Sequence, residues 1–203
     1  MGGRSIAGVR AFVAILLPDA VRAKLGAEIE RLRACGRNVA WVASDNLHVT
    51  LKFLGHVEPS RLDDAVSALT VASAVVAPFD LDVAGLGAFP SSTRPRVLWA
   101  GLAEGADAAA KLARSIDSAL AGHGFPPEDR PFAGHVTLGR VREPRGDREL
   151  ASALAASARQ RFGRFTVDRV ALMRSELSSR GAHYSILAAL PLSASPDPTT
   201  TTR

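Results

Sequence analysis

The chain has 203 residues, of which 47% are hydrophobic and 22% charged, and its formal net charge is +5. This length and composition are typical of one globular core, and the single cysteine, Cys35, excludes an internal disulfide framework and a cysteine-based zinc cage. The apolar run Ala11–Leu17 is too short to span a bilayer and leads into Pro18 and Asp19 rather than a small-residue cleavage site, which predicts a cytoplasmic protein.

Hydrophobic periodicity predicts strands alternating with helices along the chain. Strands are predicted at Val9–Leu17, Val39–Val42, residues 46–55, Phe79–Val83, Arg96–Leu102, Gly134–Val141, Phe165–Met173 and His183–Leu190. Helices are predicted after Asp19, around Leu62–Leu69, at Ala106–Leu120 and at Glu149–Arg159. Because the strands come in pairs with helices between them, we predict a duplicated α+β fold with two antiparallel sheets.

The domain prediction is a single unit over residues 9–192, since no linker-like stretch interrupts this range. Residues 1–8 are predicted to be a flexible start. Residues 193–203 are rich in Pro, Ser and Thr without an apolar anchor, and are predicted to be a disordered tail.

The tetrapeptide HVTL occurs twice, at His48–Leu51 and at His135–Leu138, 87 positions apart. Because side chains alternate along a strand, the His and Thr of each copy share one face and the Val and Leu share the opposite, apolar face. The same alternation predicts that Lys52 lies on the face of His48 and that Phe53 points into the core. In a duplicated fold, a pseudo-two-fold axis brings both His-x-Thr pairs to one central cleft, with the helices outside.

Two imidazoles and two hydroxyls facing each other suit general acid–base chemistry at phosphorus. A neutral imidazole deprotonates a nucleophile, a protonated imidazole protonates a leaving oxygen, and threonine hydroxyls donate hydrogen bonds to the phosphate. A single HVTL is typical of an ordinary surface strand, and its recurrence is what favours a site. A zinc site is disfavoured, because neither HVTL strand offers Asp or Glu and two His plus two Thr make a poor zinc shell.

Several segments resemble the 2H phosphoesterase superfamily, and within it the RNA 2′,3′-cyclic phosphodiesterases, also called the 2′-5′ RNA ligase family. The resemblance covers roughly residues 9–192 and is carried by five stretches. They are RAFVAILLP, WVASDNLHVTLKFLGHV, GLGAFPSSTRPRVLWAGL, GFPPEDRPFAGHVTLGRVR and FTVDRVALMRSELSSRGAHYSIL. The family resemblance implies a two-lobed fold with two antiparallel sheets flanking a central cleft.

The resemblance also implies residue roles. His135 would accept the proton of water, His48 would protonate the departing ribose 3′ oxygen, and Thr50 and Thr137 would hold the phosphate oxygens. Arg140 stands where the family often has a phosphate-contacting arginine, although strict alternation puts it on the face opposite His135, so this role requires a twist or a bulge.

No metal and no cofactor are implied, and the expected partner is RNA or a nucleotide with a 2′,3′-cyclic phosphate end. The chain is expected to be a monomer without a membrane or obligate protein partner. Gly134 departs from the proline that the family usually has before its second motif, which predicts a less rigid entry to that strand.

Three alternatives stay open at this level. The same residues would serve hydrolysis of another cyclic nucleotide or a 2′-5′ linkage, or ATP-independent 2′-5′ RNA joining, in which a 5′ hydroxyl attacks the cyclic phosphate. The third is a non-catalytic module that binds RNA ends.

Overall fold

The computed structural model describes residues 8–143, 146–178 and 181–193. In this part of the chain the strands are β1 (Val9–Leu16), β2 (Val39–Trp41), β3 (His48–Val57), β4 (Phe79–Phe89), β5 (Val97–Leu102), β6 (His135–Val141), β7 (Arg161–Val167), β8 (Arg169–Ser178) and β9 (Gly181–Pro191). The α-helices are α1 (Asp19–Arg33), α2 (Leu62–Ala74), α3 (Ala106–Gly122) and α4 (Arg148–Ala156). The predictions for residues 1–7 and 194–203 lie outside the described residues.

All strand pairs are antiparallel, and the order across the sheet is β7-β4-β5-β6-β3-β1-β8-β9, with β2 also paired to β6. We call β3, β1, β8 and β9 the first lobe, and β6, β5, β4 and β7 the second lobe. The two lobes meet where Val49 of β3 pairs with Val136 of β6. The predicted α+β fold with two antiparallel lobes is therefore confirmed, and this pair joins the two sheets edge to edge.

The helices pack their apolar stripes onto one face of the sheet and form the main core there. Leu25, Leu69, Leu112 and Leu154, one from each helix, are all buried in a single apolar cluster with the inward residues of the strands. The opposite face carries a smaller cluster of Phe12, Ala14, Ala171 and Met173, with Leu16 and Tyr184 packed against it. This second face is where the polar half of each HVTL strand emerges.

The predicted single strand Phe165–Met173 is wrong, because the chain breaks at Asp168 into β7 and β8. β7 pairs with β4 in the second lobe, whereas β8 pairs with β1 and β9 in the first lobe. The chain therefore crosses between lobes at this residue, and apolar periodicity alone does not reveal a change of partner. None of the helices in the described ranges combines the length and hydrophobicity that crossing a membrane would need.

Candidate active site

The two HVTL strands have the same pattern of exposure. In both β3 and β6 the histidine and threonine are half-buried, while the valine and leucine between and after them are buried. Val49, Leu51, Val136 and Leu138 belong to the main core on the helix side. The four polar side chains therefore point to the opposite face, as the alternation of side chains predicts.

Strand pairing brings the two motifs together at the junction of the lobes. Val49 and Val136 are direct antiparallel partners, so one further step along the register sets His48 next to Thr137 and Thr50 next to His135. The local two-fold axis runs through the valine pair. The two imidazoles are also near enough for the charge of His135 to affect the protonation of His48.

Each imidazole is oriented by a backbone carbonyl two residues earlier. His48 Nδ1 lies 2.7 Å from the Asn46 carbonyl oxygen, and His135 Nδ1 lies 2.7 Å from the Ala133 carbonyl oxygen. Because a carbonyl only accepts, Nδ1 carries the hydrogen in both rings, and Nε2 is the nitrogen left to exchange protons. His48 Nε2 contacts Thr50 Oγ1 at 3.0 Å, which directs it along the site face.

Asn46 connects this orientation to a distant strand. It ends a 3₁₀ turn at Ser44–Asn46, and its side-chain Nδ2 donates a 2.7 Å hydrogen bond to the carbonyl of Ala182 on β9. The residue whose carbonyl orients His48 is therefore itself fixed to the first lobe.

Burial lowers the pKa of His48 below its ordinary value. The hydrogen bond to the Asn46 carbonyl opposes this shift, and the nearby charge of His135 adds to it. Without a bound anion, the environment therefore favours the neutral imidazole of His48. A phosphate held between the motifs would act in the reverse direction, because an adjacent negative charge raises the pKa of an imidazole.

This lowered pKa predicts a specific pH dependence of stability. Below the unfolded histidine pKa of about 6.5, the unfolded chain binds a proton that the folded His48 does not yet bind, so the free energy of unfolding falls as pH decreases. The loss stops once pH is below the folded pKa. We expect urea unfolding between pH 8 and 5 to show a steeper loss below about pH 6.5 for the wild type than for His48→Gln. Parallel curves for the two proteins would contradict the assignment, since all other groups are shared.

A β-bulge in β3 overturns the predicted position of Lys52. On the paired strand β1, Val13 opposes Lys52 while the next residue, Ala14, opposes Thr50, which leaves Leu51 as an extra residue. An extra residue shifts the alternation by one step, so the side chains beyond it change faces.

Lys52 is consequently buried on the helix side, where its Nζ forms an ion pair with Asp117 of α3. Phe53, expected in the core, is 60% exposed and its ring lies 6.2 Å from that of Phe12 on the site face. Both predictions from strict alternation are wrong here for the same reason, the bulge at Leu51.

The second motif has a bulge at the equivalent position. Leu98 of β5 opposes Gly139 and the following Trp99 opposes Thr137, so Leu138 is the extra residue of β6. Leu51 and Leu138 are the last residues of the two HVTL copies, which means that the duplication includes the bulge.

The bulge at Leu138 turns Arg140 toward the face of His135, which a contact between Arg140 and the phosphate requires. Leu138 and Gly139 are both buried, and alternation resumes with an exposed Arg140 on the face of His135 and Thr137. Arg140 occupies the position in β6 that Phe53 occupies in β3. The lobes thus offer the same histidines and threonines, but an aromatic ring on one side and a guanidinium on the other.

Aromatic side chains line the histidines from other strands. The ring of Tyr184 lies 5.4 Å from that of His48 and that of Phe12 lies 4.8 Å from it, while the ring of Phe89 lies 5.2 Å from that of His135. The Phe12 ring, in an otherwise apolar strand, belongs to the smaller cluster on the site face rather than to the main core. Tyr184 and Phe89 are missed, because they are remote from both motifs, and no local pattern separates them from core aromatics.

Gly134, at the entry to β6, has close apolar neighbours. A Cβ at this position would lie 2.6 Å from Leu102 Cδ1 and 3.0 Å from Phe132 Cε1. A side chain at the entry to β6 would require Leu102 and Phe132 to shift. The glycine therefore suits its apolar neighbours.

Among the described residues, no group of three or more His, Cys, Asp or Glu side chains is arranged to hold a metal ion. The donor set at the two motifs consists of two imidazoles and two neutral hydroxyls, which is a poor fit to zinc or to hard cations.

Solved structures share this fold over nearly the whole chain. The crystal structure of TT0787 of Thermus thermophilus is similar with a TM-score of 0.74 and 31% sequence identity, covering 90% of this chain and 97% of that chain. Escherichia coli LigT complexed with 3′-AMP is similar with a TM-score of 0.70 and 26% identity, covering 92% and 99%. The chain therefore has the two-lobed architecture of the LigT-type phosphoesterases.

The family model of the 2′-5′ RNA ligase superfamily matches residues 18–178, and the chain belongs to this superfamily. A relative from Methanothermobacter thermautotrophicus, named RNA 2′,3′-cyclic phosphodiesterase, is 33% identical over 177 residues, covering 87% of this chain and 95% of the relative. A relative from Aquifex aeolicus with the same name is 33% identical over 184 residues, covering 88% and 95%.

Proposed function

We propose that the chain hydrolyses the 2′,3′-cyclic phosphate at an RNA end to a 2′-phosphomonoester, without a metal ion. The observation that carries the proposal is the meeting of two His-x-Thr pairs on one face, around the Val49–Val136 pair, in a member of this superfamily. Relatives of nearly the same length bear the name RNA 2′,3′-cyclic phosphodiesterase, which supports the substrate.

In the proposed reaction His135 is the general base. Its Nε2 accepts a proton from water as the water oxygen forms a bond to phosphorus, and the bond from phosphorus to the ribose 3′ oxygen breaks. His48, protonated at Nε2, donates its proton to that oxygen. The contact of each Nδ1 with a carbonyl supports these roles, because it keeps the proton-exchanging nitrogen toward the site.

Thr50 and Thr137 are proposed to donate hydrogen bonds to the non-bridging phosphate oxygens. Thr50 Oγ1 lies 3.0 Å from His48 Nε2, so donating to a phosphate would require this hydroxyl to turn away from the imidazole. Arg140 is proposed to contact the phosphate from the second lobe, and the bulge at Leu138 supports this by placing it on the site face.

The asymmetric flanks of the site favour one orientation of the substrate. The rings of Phe12 and Tyr184 lie 4.8 Å and 5.4 Å from that of His48 and provide apolar surface for the terminal nucleoside, and Phe53 contacts Phe12. His135 has one such neighbour among the described residues, the ring of Phe89 at 5.2 Å. This arrangement supports a ribose placed beside His48, the residue proposed to protonate its 3′ oxygen, and a water placed beside His135.

The test is hydrolysis of a 2′,3′-cyclic nucleotide and of an RNA with the same end, measured in excess EDTA. We expect full activity with chelator and a 2′-phosphomonoester as the product, identified by ³¹P NMR. Loss of activity with EDTA that returns on adding a divalent metal would overturn metal independence. A 3′-phosphomonoester would overturn the assigned leaving group.

RNA joining is a second candidate, favoured by the superfamily that the chain matches. It requires the same residues, with an RNA 5′ hydroxyl replacing water as the nucleophile. Incubating an RNA 2′,3′-cyclic end with a 5′-hydroxyl RNA separates the two, since joining yields a longer RNA with a 2′-5′ bond and hydrolysis does not.

A further inference from the structure

The segment that leads into β6 is held from behind the site by a buried lysine. The Lys52 side chain is 2% exposed, and its Nζ donates a 2.7 Å hydrogen bond to the carbonyl of Pro126 while forming the ion pair with Asp117. An ammonium group at this depth is tolerated only when it is paired and hydrogen-bonded. Lys52 is therefore tied to α3 and to the loop between α3 and β6.

Asp117 extends this anchor to a second backbone group. Its Oδ1 accepts a 3.1 Å hydrogen bond from the backbone N–H of Glu128, in addition to the contact with Lys52. One ion pair thus holds both a carbonyl and an amide of the short stretch 126–128, so this part of the loop cannot shift without breaking charge-assisted hydrogen bonds.

The anchored stretch is close in sequence to the carbonyl that orients His135. Ala133 follows Glu128 by only a few positions, and the Ala133 carbonyl accepts the hydrogen of His135 Nδ1 at 2.7 Å. Over residues 129–133 the described backbone makes no hydrogen bond to another backbone group, and Phe132 packs against the core. Ala133 is therefore held between the fixed start of the loop and the packing of Phe132.

We propose that Lys52 is a positioning residue for His135. Acting through Pro126, Asp117 and Glu128, it fixes the segment that carries the Ala133 carbonyl and so sets the placement of the second imidazole. Lys52 lies on the helix side of β3 and does not reach the substrate. Because of the bulge at Leu51, β3 presents His48 and Thr50 on the site face and Lys52 on the opposite face. There Lys52 contacts the loop that leads into β6.

The inference rests on the catalytic role proposed for His135, and its test includes a measurement without substrate. For Lys52→Met we expect kcat to fall about 10- to 100-fold, because misplacement by about 1 Å is enough to cost 10²-fold, while KM stays within about twofold. In ¹⁵N-edited NMR spectra of the free protein, the His135 imidazole signals should shift and broaden, and those of His48 should stay unchanged.

Glu28→Gln is the matched control for lost stability. Glu28 is also a buried charge, paired with Arg31 and hydrogen-bonded to Ser157, but it lies away from the loop. We expect it to lower Tm while leaving kcat and the His135 signals as in the wild type. If Lys52→Met, like Glu28→Gln, lowers Tm but leaves kcat and the His135 signals unchanged, Lys52 only stabilises the fold and the proposal is overturned.

The double variant Lys52→Met/Asp117→Leu covers the case in which Lys52→Met fails to fold. Replacing a buried ion pair by apolar residues is often neutral or stabilising, yet this variant still lacks partners for Pro126 and Glu128. We expect a folded protein with low kcat and altered His135 signals, and recovery of wild-type kcat would overturn the proposal. If the wild type itself turns over no substrate, the proposed function fails, while the NMR comparison still tests the positioning of His135.

Discussion

Replacing His48 or His135 by alanine, one at a time, is expected to lower kcat for hydrolysis of a 2′,3′-cyclic nucleotide by about 10²–10⁴-fold each. Each variant loses one of the two proton transfers, and neither neighbouring hydroxyl replaces an imidazole near neutral pH. Steady-state rates from pH 5 to 9 measure this, and the wild type should show a bell-shaped profile that loses one limb in each variant.

The limb that disappears identifies the role of each histidine. Loss of the limb at high pH on removing His48, and of the limb at low pH on removing His135, is expected from acid and base roles respectively. His56→Ala is the control, since this exposed histidine lies near the far end of β3 and should retain wild-type rates. Wild-type kcat in either alanine variant of the two motifs would end the acid–base assignment.

Removing the threonine hydroxyls is expected to have the next largest effect. Thr50→Val and Thr137→Val keep the branched shape that suits a strand but lose a donor to the phosphate, and loss of one such donor typically costs about 10²–10³-fold in kcat. Because the hydroxyls act on a charge that builds up during the reaction, kcat should fall more than KM rises.

Serine at the same positions provides the matched comparison. Thr50→Ser and Thr137→Ser keep the hydroxyl and should recover most of the activity that valine loses. Equal losses for serine and valine would point to packing rather than hydrogen bonding. A full rate in Thr137→Val would remove this residue from the proposed phosphate site.

The bulges mark the point in each strand beyond which alternation no longer predicts the face that a side chain occupies. Alternation correctly assigns His48 and Thr50 to one face and Val49 to the other, because these residues precede the bulge at Leu51. It fails at Lys52 and Phe53, which follow the bulge. A bulge is a mismatch between two strands, with two residues opposite one, so the sequence of a single strand does not reveal it.

Local sequence determined most of the elements and the chemical groups available to the site. Apolar periodicity predicted where the strands and helices lie, but it missed the break at Asp168, the extension of β4 from Val83 to Phe89 and the start of β7 at Arg161. The doubled HVTL identified two imidazoles and two hydroxyls as the candidate residues. Such patterns are readable because side-chain direction repeats every two residues in a strand and every 3.6 in a helix.

Tertiary structure alone decided which groups share one environment. It joined motifs 87 residues apart through Val49 and Val136, and it brought Tyr184 of β9 against His48. It also paired Lys52 with Asp117 behind the site rather than leaving it beside the phosphate. The physical reason is that strand register and bulges arise from pairing between distant segments, whose contacts are set by the packing of the whole sheet against its helices.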